Sequence, residues 1–273
     1  MARRRLDAEM VRRSLARSRE VAQDLIADGR VTVKGTVATK AATQVEDSDP
    51  IVVVADDAGD HYVSRGAHKL IGALDAFPSI DVAGRDCLDA GASTGGFTQV
   101  LLERDAARVA AVDVGYGQLA WPVRTDPRVS VIERTNVRSL TVEQLPFRPS
   151  LVVADLSFIP LELVLPALAV VAEPDCDFLL MVKPQFEVGR EAVGDGVVRE
   201  PALRVGAVRQ VAQAAVAQGL SVLGVAASPL PGPRGNVEYF LWLSRGNGRM
   251  GHAALSEEAV LAAIERAVEE GPP

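Results

Sequence analysis

The 273-residue sequence has little cysteine and little histidine, and it has no long uninterrupted apolar segment. Its two cysteines, Cys87 and Cys176, can form at most one disulfide, which is typical of a reducing compartment, so we expect a cytoplasmic protein. The three histidines are scattered without zinc-binding spacing, so we expect no metal. The longest apolar stretch, residues 161–172, is interrupted by Glu162 and Pro166 and is shorter than the roughly 18 residues that span a bilayer, so we expect no membrane segment.

Lysine is scarce relative to arginine. Only four of the 29 basic residues are lysine, and coding bias in a GC-rich genome explains the excess of arginine. That bias does not explain why any lysines remain. Apolar residues make up 48% of the chain, enough for a substantial core, and the net charge of -7 argues against a uniformly basic nucleic-acid binder. The four lysines are Lys34, Lys40, Lys69 and Lys183.

The positive charge is concentrated at the N-terminus. Residues 1–40 carry ten basic and five acidic side chains, whereas residues 41–60 carry six acidic side chains and no basic one. Apolar spacing predicts two short helices, then a strand at Val31–Val33 and a tight turn at Lys34-Gly35. Basic side chains along these elements would form a positive face that suits a phosphate backbone. A solvated arginine face on an ordinary small domain shows the same charge pattern.

Three short motifs in this region occur in a characteristic order. They are Arg5-Leu6-Asp7, Ser18-Arg19-Glu20 and Gly29-Arg30-Val31. Together they resemble the S4-type RNA-binding module, so we predict a small α+β S4-like domain over residues 1–58 and an interdomain linker over 59–64. The resemblance implies RNA contacts from Arg4, Arg5, Arg17, Arg19, Arg30, Lys34 and Lys40, and from Arg65 just after the linker.

From residue 85 onwards, short apolar runs alternate with helical patterns. This alternation predicts an α/β domain with a parallel sheet and helices on both faces, over residues 65–246, followed by a C-terminal helix and tail over 247–273. Only residues 228–236 separate the last two strands, so we expect those strands to pair antiparallel. The pattern resembles the seven-stranded, Rossmann-like class I fold of S-adenosylmethionine-dependent methyltransferases. We predict strands at 86–91, 108–114, 129–134, 150–155, 177–183, 220–227 and 237–244, and helices near 96–104, 117–124, 159–172 and 201–218.

A glycine-rich loop follows the first of these strands and opens a helix. Glycines there let a ligand approach the backbone closely, and Asp113 ends the second strand, where a carboxylate can accept hydrogen bonds from a ribose. Asn136, after the third strand, is a candidate adenine contact, although a turn asparagine looks the same in sequence. With S-adenosylmethionine as the expected cofactor, the predicted contacts are Asp89, Gly91, Ser93, Gly95, Gly96, Phe97, Asp113, Val114, Asn136 and Asp155.

The residues at the strand ends restrict which chemical group can be the methyl acceptor. Carbon-5 methylation of cytosine needs a cysteine nucleophile, and neither cysteine follows the fourth or fifth strand. Amine methylation typically uses paired prolines after the fourth strand, where this chain has Asp155-Leu156-Ser157-Phe158. Phe158 and Phe186 are candidates for stacking on an extruded base, and core packing explains an aromatic residue equally well.

Two lysines and two carboxylates complete the candidate site. Lys69 lies on a predicted helix capped by Ser64, and Lys183 ends the apolar fifth strand. The set Lys69, Asp155, Lys183 and Glu238 resembles the catalytic tetrad of FtsJ-related ribose 2'-O-methyltransferases. With the N-terminal module included, the whole chain is similar to the TlyA family, also called haemolysin A.

The TlyA resemblance implies methylation of cytidine 2'-hydroxyls in 16S ribosomal RNA, with 23S ribosomal RNA as a second expected substrate. It implies that Lys183 is the base, that Asp155 and Glu238 orient it, and that Lys69 positions the ribose or phosphate. A base must be able to lose its proton, which arginine does not do in proteins. Burial lowers the pKa of a lysine and neighbouring carboxylates raise it, and the sequence leaves open which effect dominates.

Two other functions are compatible with parts of the sequence. A non-catalytic ribosome-assembly factor would share the RNA-binding module and the cofactor loop, and a membrane-active haemolysin would match the family's second name. We expect ribosomal RNA or ribosomal subunits as partners, no membrane and no obligatory protein partner. An intact tetrad argues against the first alternative, and the absence of a strongly basic amphipathic helix argues against the second.

Overall fold

The computed structural model divides the chain into two compact units, Met1–His61 and Tyr62–Pro273. The residues that it describes are 3–13, 15–16, 19–27, 29–53, 61–189, 196–232, 235–245 and 252–272.

The first unit is a small α+β domain with its own core. Leu6, Met10, Ala22 and Ile26 lie on the buried faces of its two helices and pack with Val31 from the strands. The helical spacing in the sequence therefore reflects a real apolar stripe. The elements are β1 (Arg4–Arg5), α1 (Leu6–Arg12), α2 (Arg19–Ala27), β2 (Val31–Val33), β3 (Thr36–Val37), β4 (Gln44–Val45) and β5 (Ile51–Val53).

The second unit is built around a seven-stranded sheet. Its central strands are rich in valine, leucine and alanine and are buried on both faces, as strands of a helix-covered sheet are. The elements are α3 (Gly66–Ala76), β6 (Asp86–Ala90), α4 (Gly96–Glu103), β7 (Arg108–Val112), α5 (Trp121–Arg124), β8 (Val129–Ile132), β9 (Leu151–Ala154), α6 (Leu165–Val171), β10 (Asp177–Val182), α7 (Pro184–Glu187), α8 (Pro201–Ala217), β11 (Leu220–Ala227), β12 (Tyr239–Arg245) and α9 (Glu257–Glu270).

The strand order in the sheet is β11-β12-β10-β9-β6-β7-β8. Neighbouring strands pair parallel from β10 through β8, and β12 pairs antiparallel with both β10 and β11, which confirms the predicted reversal. The carboxyl ends of β6, β7, β9 and β10 therefore meet at one edge, here called the carboxyl edge. Because β12 runs the other way, its start lies at that edge too, with Val182 opposite Tyr239.

Two predicted helices are shorter than expected, and proline explains both. The helix expected over 117–124 is restricted to Trp121–Arg124, with Pro122 in its first turn. The helix expected over 159–172 is a 3-10 turn at Leu161–Leu163 followed by α6, which has Pro166 in its first turn. Proline has no amide hydrogen and is favoured where a helix begins, so both helices begin beside a proline.

Candidate active site

The four candidate catalytic side chains form two ion pairs at the carboxyl edge. Lys183 Nζ, just after β10, lies 2.6 Å from Asp155 Oδ1, just after β9. Lys69 Nζ, on α3, lies 2.6 Å from Glu238 Oε2, just before β12. The strand expected to begin at residue 237 begins at Tyr239, so Glu238 lies on the connection before it. The reversed strand is what brings Glu238 to the edge where β9 and β10 end.

Both lysines are buried. Lys69 is 7% exposed and Lys183 is 8% exposed. Burial alone would raise the pKa of Asp155, but the positive charges of Lys183 and Lys69 hold that pKa below its ordinary value. Asp155 is therefore a carboxylate at neutral pH and attracts both ammonium groups. Asp155 contacts Lys183 directly and feels the charge of Lys69 at longer range, so the two pairs are coupled electrostatically.

A serine not singled out as a catalytic candidate also contacts Lys183. The Nζ of Lys183 donates a hydrogen bond to Ser157 Oγ over 2.9 Å. Ser157 follows Asp155 by two residues, so one strand-end loop supplies both partners of the lysine. The motif Asp-Leu-Ser-Phe was visible in sequence, but nothing in it distinguishes a hydroxyl that contacts lysine from one that contacts solvent.

The loop that carries Ser157 has an unusual conformation at its next residue. Phe158 adopts a φ of 64°, a region that residues other than glycine rarely occupy, and its side chain is 81% exposed. Its ring centroid lies 5.1 Å from that of Phe186 in α7. The structure thus places an exposed aromatic ring beside Lys183, where the sequence allowed either a core or a surface role.

The predicted cap of α3 is wrong. The N-cap residue is Arg65, and no side chain caps the helix; Ser64 instead contributes its backbone carbonyl to Ala67 N, over 3.1 Å. The Ser64 hydroxyl fills the space that a side chain at Gly96 would need. Ser64 therefore packs against the start of α4, which explains a glycine at that position.

The glycine-rich loop after β6 has the backbone that the sequence predicts. Gly91 has a φ of +89°, and a Cβ there would lie 2.7 Å from the carbonyl oxygen of Asp155. Gly95 has a φ of +98°, and a Cβ there would lie 2.8 Å from Leu119. Only glycine fits both positions without strain, because Asp155 and Leu119 fill the space that a side chain would need. We call this closely packed loop at the carboxyl edge the glycine cradle.

Asp113 anchors this cradle from the end of β7. Its carboxylate accepts hydrogen bonds from Ser93 N over 2.8 Å and from Gly115 N over 2.6 Å. Each carboxylate oxygen has a second lone pair, so capacity remains for a ligand hydroxyl. A cavity at this point is lined by Ala92, Ser93, Ala111, Asp113, Gly115, Gln118, Leu119, Val131 and Glu133.

Four of the predicted cofactor contacts have surroundings that the sequence did not indicate. Asp89 is fully buried and accepts a hydrogen bond from Thr98 Oγ1 over 2.6 Å, which ties β6 to α4. The ring of Phe97 is 3% exposed and stacks on Phe240 in the core. Asn136 is exposed, and its side-chain oxygen caps the following 3-10 turn by accepting from the next but one backbone amide. Val114 is 73% exposed.

The buried Asp89 carboxyl has an unusual protonation. Burial, together with the negative charges of Asp155 and Asp113, raises the pKa of Asp89 to about 7, although the hydroxyl of Thr98 opposes the rise. Its Oδ1 accepts no hydrogen bond from the described part of the chain. The strand that leads into the cradle therefore carries a buried acid whose pKa is about 7.

In the first unit, two buried carboxylates organise the predicted RNA-binding arginines. Asp7 accepts hydrogen bonds from Arg5 and Arg19, and these contacts outweigh burial and hold the pKa of Asp7 well below its usual range. Both arginine side chains remain about half exposed, at 45% and 56%. Glu9 pairs in the same way with Arg12 and Arg13. Sequence analysis missed this role of Asp7 and Glu9, although acidic residues at helical spacing from arginines were a visible signal.

The other predicted RNA contacts are distributed over both units. Arg4 pairs with Asp47 over 2.5 Å, and Lys34, in the hairpin turn, pairs with Asp49 over 2.8 Å. Lys40 is exposed, and Arg30 is partly buried. Arg65 lies at the start of α3 in the second unit, and Arg17 lies outside the described residues.

Other chemistries find little support in the described residues. They contain no group of three or more histidine, cysteine, aspartate or glutamate side chains that could hold a metal ion. Both cysteines are buried and unpaired, and burial raises the pKa of Cys87 to about 12, so it is not a thiolate nucleophile. Across the same residues, no helix has the length and apolar character needed to span a bilayer.

The sheet order, the glycine cradle and the paired lysines define a protein of the methyltransferase class with an appended RNA-binding module. The model of the FtsJ-like methyltransferase family matches residues 62–245. The model of the S4 domain matches residues 4–51. These matches confirm the predicted fold of both parts of the chain.

Relatives that align over nearly the whole chain narrow this class. The sequence is 58% identical, over 100% of both chains, to the 16S/23S rRNA (cytidine-2'-O)-methyltransferase TlyA of Mycobacterium tuberculosis. It is 36% identical to hemolysin A of Brachyspira hyodysenteriae, over 86% of this chain and 97% of that protein. A solved structure from Streptococcus thermophilus, named as a candidate hemolysin, matches with a TM-score of 0.73 at 34% identity, over 99% of this chain and 97% of that one. The chain therefore belongs to the TlyA family of FtsJ-like methyltransferases.

Proposed function

We propose that the protein transfers a methyl group from S-adenosylmethionine to the 2'-hydroxyl of cytidine in ribosomal RNA. The observation that carries this proposal is the pair of buried lysines, each bound by a carboxylate, beside the glycine cradle. The full-length relative named as a 16S/23S rRNA (cytidine-2'-O)-methyltransferase supports the choice of cytidine ribose and of both ribosomal RNAs.

The cradle fits the proposed cofactor. Gly91 and Gly95 allow the loop to turn tightly beside Asp113, and Asp113 retains acceptor capacity for a ribose diol. Asp89 is fully buried, so its contribution is the support of α4 through Thr98. When bound, S-adenosylmethionine supplies an electrophilic methyl group.

Lys183 is the proposed proton acceptor. A ribose hydroxyl is a weak nucleophile at neutral pH, and it becomes a strong one as its proton passes to a neighbouring base. Asp155 and Ser157 hold the Nζ of Lys183 at fixed distances, so that its lone pair, once formed, has a defined direction. Lys69, held by Glu238, is the second cation and places the ribose or its phosphate.

The exposed ring of Phe158 and the basic module are the proposed contacts for the rest of the substrate. Phe158 offers a flat surface for an unstacked base beside Lys183, as proteins that read single-stranded RNA commonly do. Arg5 and Arg19, aligned by Asp7, offer guanidinium groups to the phosphate backbone.

Substitution Lys183→Arg tests the proposal. Arginine keeps the positive charge but does not give up its proton, so transfer to ribosomal RNA should fall by about 100-fold or more while S-adenosylmethionine still binds. Transfer is measured with radiolabelled cofactor and ribosomal RNA, cofactor affinity by calorimetry, and the modified position by primer extension. Wild-type turnover in the variant would remove Lys183 as the base, and a wild-type enzyme that labels no 2'-hydroxyl would remove the function.

A further inference from the structure

Two segments at the carboxyl edge are joined by hydrogen bonds that run in opposite directions. Lys183, at the start of α7, donates through Nζ to Ser157 Oγ in the loop after β9, over 2.9 Å. Four residues further along each segment, the backbone amide of Leu161 donates to Glu187 Oε1 over 3.0 Å. The rings of Phe158 and Phe186 meet between these two bonds. We call Ser157, Leu161, Lys183 and Glu187 the strand-end clasp.

Burial of the Glu187 carboxyl group lowers the stability of the fold. It is 8% exposed, and its second oxygen, Oε2, accepts no hydrogen bond from the described residues. Burial, with the nearby charge of Glu162, raises the pKa of Glu187 to about 7, against the opposing hydrogen bond from Leu161. A buried carboxyl with one unpartnered oxygen lowers stability relative to an apolar side chain, so folding alone does not account for it.

What Glu187 fixes is the far end of the loop that holds the base. At the near end, the amide of Asp155 donates to Ala90 O over 3.1 Å. At the far end, the bond from Leu161 to Glu187 is the described hydrogen bond to α7, in addition to the ring contact of Phe158 with Phe186. Ser157 and the strained Phe158 lie between these two anchors. Loss of the far anchor lets both residues move relative to Lys183.

We propose that Glu187 is a positioning residue for methyl transfer, which holds Ser157 and Phe158 at Lys183 by fixing Leu161. The proposal rests on the function proposed above and extends it to a residue outside the lysine–carboxylate pairs. None of the bonds described above joins Glu187 to Lys69 or to Lys183, so Glu187 acts through the loop.

Two substitutions separate positioning from folding. Glu187→Gln keeps an oxygen that accepts from Leu161, so its kcat should stay within about threefold of wild type. Glu187→Leu removes the acceptor, and kcat on ribosomal RNA should fall by about tenfold to 100-fold, since small misplacements at a reacting centre have effects of that size. Cofactor affinity and the urea midpoint of Glu187→Leu should match those of the wild type, or the midpoint should rise.

A double variant tests whether the clasp acts as one device. If Ser157 and Glu187 hold the same loop, their effects on kcat should not be additive. The double variant Ser157→Ala with Glu187→Leu should then have a kcat only slightly below that of the less active single variant. Wild-type kcat in Glu187→Leu, or a loss that accompanies a lower urea midpoint and weaker cofactor binding, overturns the proposal. Multiplicative losses in the double variant overturn it as well. An inactive wild-type enzyme contradicts the proposed function instead, so the two failures are distinguishable.

Discussion

The buried pair of Lys69 and Glu238 allows stability and catalysis to be separated by mutation. The two side chains are 9% and 1% exposed, and their charged atoms lie 2.6 Å apart. Substitution Lys69→Met leaves the Glu238 carboxylate buried without its cation. Breaking a buried pair in this way typically lowers the free energy of unfolding by about 3–5 kcal/mol.

The double substitution Lys69→Met with Glu238→Met should restore most of that loss. Replacing a whole buried ion pair by apolar residues of similar volume is often neutral or stabilising by about 1–4 kcal/mol. The double variant also removes Glu238 Oε1, a buried oxygen that has no hydrogen-bond partner among the described residues. Methyl transfer should not return, because the cation that we propose places the acceptor is still missing.

Tryptophan fluorescence in urea measures the stability of the unit that contains the Lys69–Glu238 pair. Both tryptophans, Trp121 and Trp242, lie in the unit Tyr62–Pro273, and Trp242 is 7% exposed, so its emission reports on unfolding of that unit. The single variant should have a lower urea midpoint with an unchanged slope, and the double variant should return toward the wild-type midpoint. A double variant less stable than Lys69→Met, or one that recovers activity, would refute the reasoning.

Three further predictions concern carboxylates. Asp7→Asn releases Arg5 and Arg19, so RNA affinity should fall by about threefold to tenfold and its salt dependence should become shallower in filter binding. Asp113→Asn weakens acceptance from a ribose diol, and calorimetry should show about tenfold to 100-fold weaker S-adenosylmethionine binding. The pKa of Asp89 is about 7 in the folded protein and about 4 when unfolded, so the folded state holds a proton that the unfolded chain releases between these values. The free energy of unfolding should therefore decline as pH rises through that window, and Asp89→Asn should abolish its part of the decline in urea titrations at several pH values.

The sheet could be predicted from the sequence because its strands are short apolar runs bounded by turns. The run Phe178–Val182 is buried on both faces, so its pattern needs no knowledge of neighbours. The reversed final strand followed from a connection too short for a crossover. The lengths of α5 and α6 were harder to predict, since an apolar helical pattern extends past the proline at which each helix begins.

The site was predictable to the extent that charge and strand ends define it. Lysines that end strands or lie on a helix beside the glycine loop were visible because so few lysines exist. Ser157 and Glu187 were not identified, since their roles depend on which backbone amide or ammonium group lies opposite. A sequence cannot show which way a ring turns at the start of a helix, and the ring of Phe97 turns toward Phe240.

The bond between Lys69 and Glu238 also has a consequence for biosynthesis. Its two residues are 169 positions apart in the chain. At a translation rate of about 5–20 residues per second, Lys69 is made roughly 10–30 s before its partner. By the end of that interval the nascent chain contains the RNA-binding unit and the glycine loop, but it still lacks the last strand of the sheet. A chain that has not yet reached Glu238 therefore has the glycine loop but not the buried ion pair, and the pair forms only once the last strand of the sheet is being made.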